Sequence, residues 1–273
     1  MYVDNFSAIL GKYNSENELL KFAKKHNIQS LILYDLNKIH KRFPLGNAKK
    51  NQILADFITR AKLDFGIKEI SASGESGDFF IKAIHPYNKS RKKAIEKFDV
   101  YNLEYEYWHP QNSLNGGYYC NTYLKKAQVP CSRNGSFKYY VETLSIMKLL
   151  AEEETHPIKV EAYIGGFTRE EAIIISKYAD RLLVHVYVNN PQKGYNYAKK
   201  RLDLLSEIKS NVAISFIFSA EPNFMGSWLK KKNFKKAEQI FLRELKDATK
   251  KNKFALNFEG FTYYNFGFSK KLF

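Results

Sequence analysis

The sequence predicts an α/β fold, a (β/α)8 TIM barrel whose final helix is short or missing, in a single domain over residues 1–273. Three observations lead there. Short apolar runs alternate with longer helical patterns from end to end, as repeated β-α units around a parallel sheet require. Eight such runs are separated by seven amphipathic segments, the count of a barrel without its last helix. The chain, 273 residues at 44% hydrophobic content, is long enough to bury one core of that size.

Strands are expected at 2–6, 30–35, 68–73, 100–107, 159–164, 181–188, 212–219 and 254–261, and helices near 16–26, 47–64, 78–97, 137–154, 168–178, 194–209 and 233–251. Two helices open with capping boxes, Ser15-x-x-Glu18 and Thr168-x-x-Glu171, which satisfy the orphan amides of a first turn. Only about a dozen Tyr/Phe/Lys-rich residues follow the eighth strand, barely three helical turns. Closure between the first and eighth strands should therefore be less regular than elsewhere. The longest insertion, roughly 109–136, follows the fourth strand and lies on the C-terminal face, where barrel active sites are built. It carries Tyr118, Tyr119, Tyr123 and both cysteines, and Trp108 stands at its start. An aromatic loop beside a carboxylate pair suits the apolar faces of sugar rings, and equally suits packing of the loop onto the barrel.

Lys and Arg exceed Asp and Glu by 44 to 28, a formal charge of +16. That balance favours an acidic partner or simply a solubilising surface. No zinc-finger, helix-turn-helix or ribonucleoprotein-type motif accompanies the charge, which argues against nucleic acid. No run reaches the ~18 apolar residues of a membrane span, and no charged-then-apolar leader opens the chain, so a soluble protein is expected. Cys120 and Cys131 have neither metal-ligand spacing nor a helix-borne redox motif. A loop disulfide would fit an exported protein, secreted or periplasmic with its leader removed. Two free loop thiols fit the sequence equally.

The fourth strand carries the densest chemistry. Period-two alternation sends Asn102, Glu104 and Glu106 to one face and Tyr101, Leu103, Tyr105 and Tyr107 to the other. Glu104 and Glu106 are then roughly 6.6 Å apart along the backbone, and like charges held that close raise one pKa. A carboxylic acid stays protonated near neutral pH in this way. Inward polar pairs at spacing two recur elsewhere: Ser71 with Ser73, Glu161 with Tyr163, His185 with Tyr187, and Asn257 with Glu259. Barrel interiors are usually filled by Val, Ile and Leu, so these pairs suggest a lined pocket. Taken singly, Glu161, Glu259 and His185 are more often hydrogen-bonded structural residues.

The segment Asp99-x-x-Asn102-x-Glu104-x-Glu106 resembles the fourth-strand signature of the family-18 glycoside hydrolases, the chitinases and endo-β-N-acetylglucosaminidases, which reads Asp-x-x-Asp-x-Asp-x-Glu. Ser71-Ala-Ser-Gly74 is similar to that family's third-strand Ser-x-Gly-Gly. His185-Val-Tyr187 is similar to its sixth-strand segment, whose Tyr contacts the reacting N-acetyl group. The resemblance implies a cofactor-free glycosidase for N-acetylhexosamine-containing glycans, with Glu106 as catalytic acid, kept protonated by the nearness of Glu104 and by partial burial. Glu104 falls where the family's acid orients the substrate's own acetamido group, and Asn102 and Tyr187 are its hydrogen-bonding neighbours. Trp108, Ser71, Tyr163, His185, Glu161 and Glu259 complete the expected substrate-binding set. Asn102 and Glu104 replace two Asp residues, Ser73 replaces the first Gly, Val188 stands where the family has Asp, and the eighth strand has no Trp.

Those departures support an alternative, a catalytically inactive carbohydrate-binding barrel. A third reading is a divalent-metal enzyme, in which Glu104 or Glu106, Glu161, His185 and Glu259 converge as carboxylate and imidazole ligands.

Overall fold

A computed structural model describes residues 1–208, 210–252 and 256–273. Its eight strands form one sheet in sequence order: β1 (Tyr2–Val3), β2 (Ser30–Leu33), β3 (Glu69–Gly74), β4 (Val100–Leu103), β5 (Lys159–Ile164), β6 (Arg181–His185), β7 (Ala213–Ser219) and β8 (Phe258–Tyr264). All neighbouring pairs are parallel, and helices cover the outside, as in a (β/α)8 barrel. The two ends of the sheet, β1 and β8, lie together without a paired ladder among the described residues. Side chains bridge that seam. The Tyr2 and Tyr264 rings stand 5.7 Å apart, and Gly267 N–H donates to Asp4 Oδ1 at 2.9 Å.

Alternation divides the core in two. Outward residues such as Leu33, Ala72, Tyr101, Ile164, Val184 and Phe216 join the helices in one large apolar cluster. Inside the barrel a smaller cluster stacks Tyr2, Ile32, Tyr163, Leu183 and Ile217, with Tyr34, Trp108, Tyr187 and Tyr264 partly buried above it. The register aligns Ser73, Asn102, Glu161 and Arg181 across four adjacent strands, which makes the lower interior polar.

Several boundaries differ from expectation. The fourth ladder ends at Leu103, although Glu104 N–H still reaches Gly74 O at 2.9 Å. Beyond it the expected alternation survives because Tyr105 and Tyr107 are held outward, Tyr105 stacked on Tyr119 at 3.9 Å and Tyr107 against Tyr140 at 4.8 Å. The sixth ladder likewise stops at His185. The eighth strand runs later than expected, with residues 254 and 255 of that expectation outside the described residues. A register shift at Ile214/Ser215 passes over Glu259 and admits Gly260 at φ +155°, a backbone open to glycine.

The Thr168 capping box forms, with Thr168 N–H on Glu171 Oε2 at 2.8 Å and Glu171 N–H on Thr168 Oγ1 at 3.2 Å. The Ser15 box does not, because the helix Tyr13–Lys25 begins before it. Glu16 in its first turn instead accepts from Gly11 N–H, ahead of the helix, at 2.7 Å, while Glu18 pairs with Lys270. Only the four-residue helix Phe266–Ser269 follows β8. No described helix is long and apolar enough to cross a membrane.

Candidate active site at the barrel mouth

Glu104 and Glu106 leave the end of β4 at the C-terminal mouth, the outlet of a strand whose other face is locked into the helical layer. Glu104 lies deeper. Tyr2 Oη donates to its Oε2 at 2.8 Å, the Tyr34 hydroxyl also bonds to it, and Asn102 Nδ2 supports Tyr2 Oη from below at 3.3 Å. Burial pushes the Glu104 carboxyl up to about 8; the two tyrosine hydroxyls oppose this and the charges of Glu106 and Glu75 add to it. Glu104 therefore holds a proton at neutral pH.

Glu106 is nearer the opening. Tyr163 Oη donates to its Oε1 at 3.3 Å, and its own N–H donates to Tyr119 Oη at 2.9 Å. Burial raises its pKa too, against the charge of His109 and the Tyr163 bond. Glu106, expected to keep its proton through partial burial and the nearness of Glu104, is raised by burial, and Glu104 is raised as well. The larger effect falls on Glu104, because it is the more enclosed of the two.

Aromatic rings wall the mouth. Trp108 packs on Tyr107 at 5.3 Å and Tyr163 at 5.4 Å, lying so close over Gly165 that a Cβ there would meet the indole at 2.5 Å. Tyr187 faces Phe224 at 5.0 Å and Tyr264 at 6.4 Å. Burial holds the hydroxyls of Tyr2, Tyr34, Tyr163 and Tyr187 well above the ordinary phenol range, so they remain donors.

Of the residues singled out in the sequence, Glu104, Glu106, Trp108, Tyr163, His185 and Tyr187 meet at this mouth. Asn102 sits one layer down, its amide on Glu161 Oε1 at 2.7 Å, and Ser71 is fully buried in the floor with its hydroxyl unpartnered among the described residues. Glu161 and Glu259 are elsewhere. Both stand near the starts of their strands, at the N-terminal end of the barrel, where Arg181 pairs with Glu161, with Glu69 at 2.9 Å and with Glu259 at 2.9 Å. The expected metal ligands therefore do not converge, and among the described residues no group of three His, Cys, Asp or Glu side chains is arranged to hold an ion.

Sequence reasoning passed over Tyr2, Tyr34, Glu75 and Tyr264. Tyr2 was legible as an inward position of the first strand, and Glu75 directly follows Ser73-Gly74; their approach to Glu104 depends on the closed barrel. Glu75 Oε2 accepts from Tyr118 Oη at 2.8 Å and Tyr123 Oη at 2.6 Å, which pins the aromatic loop to the rim. Cys120 and Cys131 are bonded to each other across that loop, with Cα atoms 5.1 Å apart, resolving the choice between disulfide and free thiols.

No protein-family model matches the chain, and comparison with curated proteins finds no significant match. Solved structures do resemble it. The AHE enzyme from Alicyclobacillus herbarius matches at TM-score 0.56 and 10% identity, over 93% of this chain and 78% of that one. An active-site mutant of Rhizomucor miehei β-1,3-glucanosyltransferase, in complex with laminaritriose, matches at 0.47 and 13%, over 90% and 79%. A Thermotoga maritima β-glucosidase bound to a substituted glucoimidazole matches at 0.38 and 10%, over 77% and 54%. At 10% identity the likeness to the AHE enzyme concerns the barrel fold alone.

Proposed function

We propose that this protein is a glycoside hydrolase, akin to the family-18 enzymes, that acts on an N-acetylhexosamine-containing glycan with Glu106 as proton donor. The observation behind this reading is the pair Glu104 and Glu106 at the end of one central strand, both biased toward the neutral acid, under walls of Trp108, Tyr163 and Tyr187. The charge of Glu106 adds to the burial that keeps Glu104 neutral. At rest the proton favours enclosed Glu104. A sugar ring that covers the mouth excludes water from Glu106 and raises its proton affinity in turn. Glu106 then protonates the glycosidic oxygen as the bond to the leaving group breaks. The substrate's acetamido oxygen attacks the anomeric carbon, and Glu104 accepts from the acetamido N–H. Tyr187, two residues beyond β6, reaches the same group.

A binding barrel without turnover is the second reading, and Asn102 favours it. Where the resembling signature has an acid, this amide is spent on Glu161 and Tyr2 and supplies no second charge beneath Glu104. Hydrolysis of chitin-like oligosaccharides and N-glycans, wild type against Glu106→Gln, decides between them. The expected result is a loss of turnover of about 10²-fold or more, with binding measured by calorimetry retained. An active wild type indifferent to Glu106→Gln defeats the mechanism. Binding without cleavage across the panel establishes the second reading.

A further inference from the structure

A hydrogen-bonded chain leaves Glu106 in the direction away from Glu104. Tyr163 Oη touches Glu106 Oε1 at 3.3 Å and His185 Nδ1 at 3.3 Å, and His185 Nε2 touches Tyr197 Oη at 3.2 Å. Its members come from the end of β4, from β5, from the end of β6 and from the helix Gly194–Glu207. Tyr197 is 45% exposed, so the chain ends in solvent. We propose that Glu106 exchanges its proton with solvent through Tyr163, His185 and Tyr197, and that the imidazole changes tautomer each time it does so.

The donor and acceptor inventory allows two states. With Glu106 ionised, Tyr163 donates to it, His185 Nδ1–H donates to Tyr163, and bare Nε2 accepts from Tyr197. To load Glu106, the Tyr197 proton passes to Nε2, the Nδ1 proton to Tyr163 oxygen and the Tyr163 proton to Glu106, while solvent restores Tyr197. Glu106 is then neutral and donates to Tyr163, Tyr163 donates to bare Nδ1, and Nε2–H points at Tyr197. One proton enters, one reaches the carboxylate, and no ion stays in between. Tyr187 is the remaining hydrogen-bonding neighbour of the Tyr163 hydroxyl.

This relay needs a neutral imidazole. Burial and the Arg201 charge hold His185 down to about 3. Arg201 also fixes the geometry, donating to His185 O at 2.7 Å, Gly165 O at 3.1 Å and Tyr197 O at 3.2 Å. The other groups around His185 are Trp108, Tyr187, Tyr163 and Tyr197; those acting on Glu106 are Glu104, His109, Tyr119 and Tyr163. A packing role would ask only for aromatic rings. It would not ask for both imidazole nitrogens to be bonded in line between a carboxylate and the surface.

The tautomer coupling stands on this geometry, whereas its use in turnover rests on the glycosidase reading. The test is 15N NMR of histidine-labelled protein from about pH 4 to 9, with the His185 signals assigned by His185→Asn. The expected result is a neutral ring that shifts from Nε2–H to Nδ1–H as Glu106 ionises, with the shift abolished in Glu106→Gln and in Tyr163→Phe. A tautomer constant across that range, a shift that persists in Glu106→Gln, or an imidazolium above about pH 5 overturns the proposal. If the wild type hydrolyses glycans, Tyr197→Phe lowers kcat at unchanged KM by less than the ~10²-fold of losing the acid itself, and added imidazole restores it. A wild type with no hydrolysis removes the glycosidase reading and leaves the NMR result to decide the coupling.

Discussion

Glu104 is a carboxyl folded into surroundings that disfavour its charge, with Tyr2 and Tyr34 as its hydrogen-bonding supports. The sign of its effect on stability follows. An acid raised from 4.5 to about 8 on folding contributes nothing unfavourable below the unfolded value, where both states are protonated. The penalty grows as pH rises through 4.5 and is complete above about 8. Glu104→Gln removes the titrating proton and keeps an acceptor for Tyr2. Its Tm should match the wild type near pH 4 and exceed it by about 2–4 °C or more at pH 8 to 9, the response to ~1 kcal/mol in a chain of this size. Calorimetric scans across that range check it, and a mutant less stable than the wild type at the alkaline end contradicts the assignment.

At the scale of elements, Arg181 ties the starts of four strands. Its guanidinium serves Glu69 of β3, Glu161 of β5 and Glu259 of β8 from its own place on β6, and Lys159 adds bonds to Glu69 at 2.7 Å and Glu259 at 3.1 Å. Burial alone would raise Glu69 and Glu259, yet the two cations bring both below the ordinary carboxylate range. Glu161 is only 1% exposed, so its charge has no recourse to water. Arg181→Met should lower the unfolding free energy by about 3–5 kcal/mol, the usual result of breaking a buried pair on one side. Adding Glu161→Gln should recover part of it. Urea denaturation of the single and double variants measures both. Equal stability of Arg181→Met and wild type would show that the cluster does not hold these strands.

For the molecule as a whole, the seam between β1 and β8 is the weak closure of the barrel. β1 contributes two residues to the sheet, and side chains join it to β8 across a gap without a ladder among the described residues. The helix Phe266–Ser269 plugs the seam with buried Phe266, whose ring stands 5.5 Å from Phe22, while Phe273 packs 4.9 Å from Phe234. Backbone groups without ladder partners open at lower free energy than those in a doubly paired strand. Hydrogen exchange should therefore be faster in peptides covering β1 and β8 than in those covering β4 and β5. Uniform protection around all eight strands would mean that the ring closes as tightly there as elsewhere.

What the sequence determined by itself is what an extended backbone decides locally. The placing of Asn102, Glu104 and Glu106 opposite Tyr101, Leu103, Tyr105 and Tyr107 follows from a period of two, and it held even where the ladder stopped at Leu103. The eight alternating units and the Thr168 cap are local in the same sense. Depth in the barrel was not legible. Glu106 and Glu161 look alike as inward carboxylates, yet one stands at the mouth and the other beneath it, because height is set by the register between strands far apart in sequence. The partners of Glu104 were hidden for the same reason, since Tyr2 reaches it across 102 residues of chain. The resting place of the proton belongs to the tertiary structure as well. Sequence supplies the distance between two charges, but the loss of water that decides which of them stays neutral exists only once the barrel has closed around Glu104.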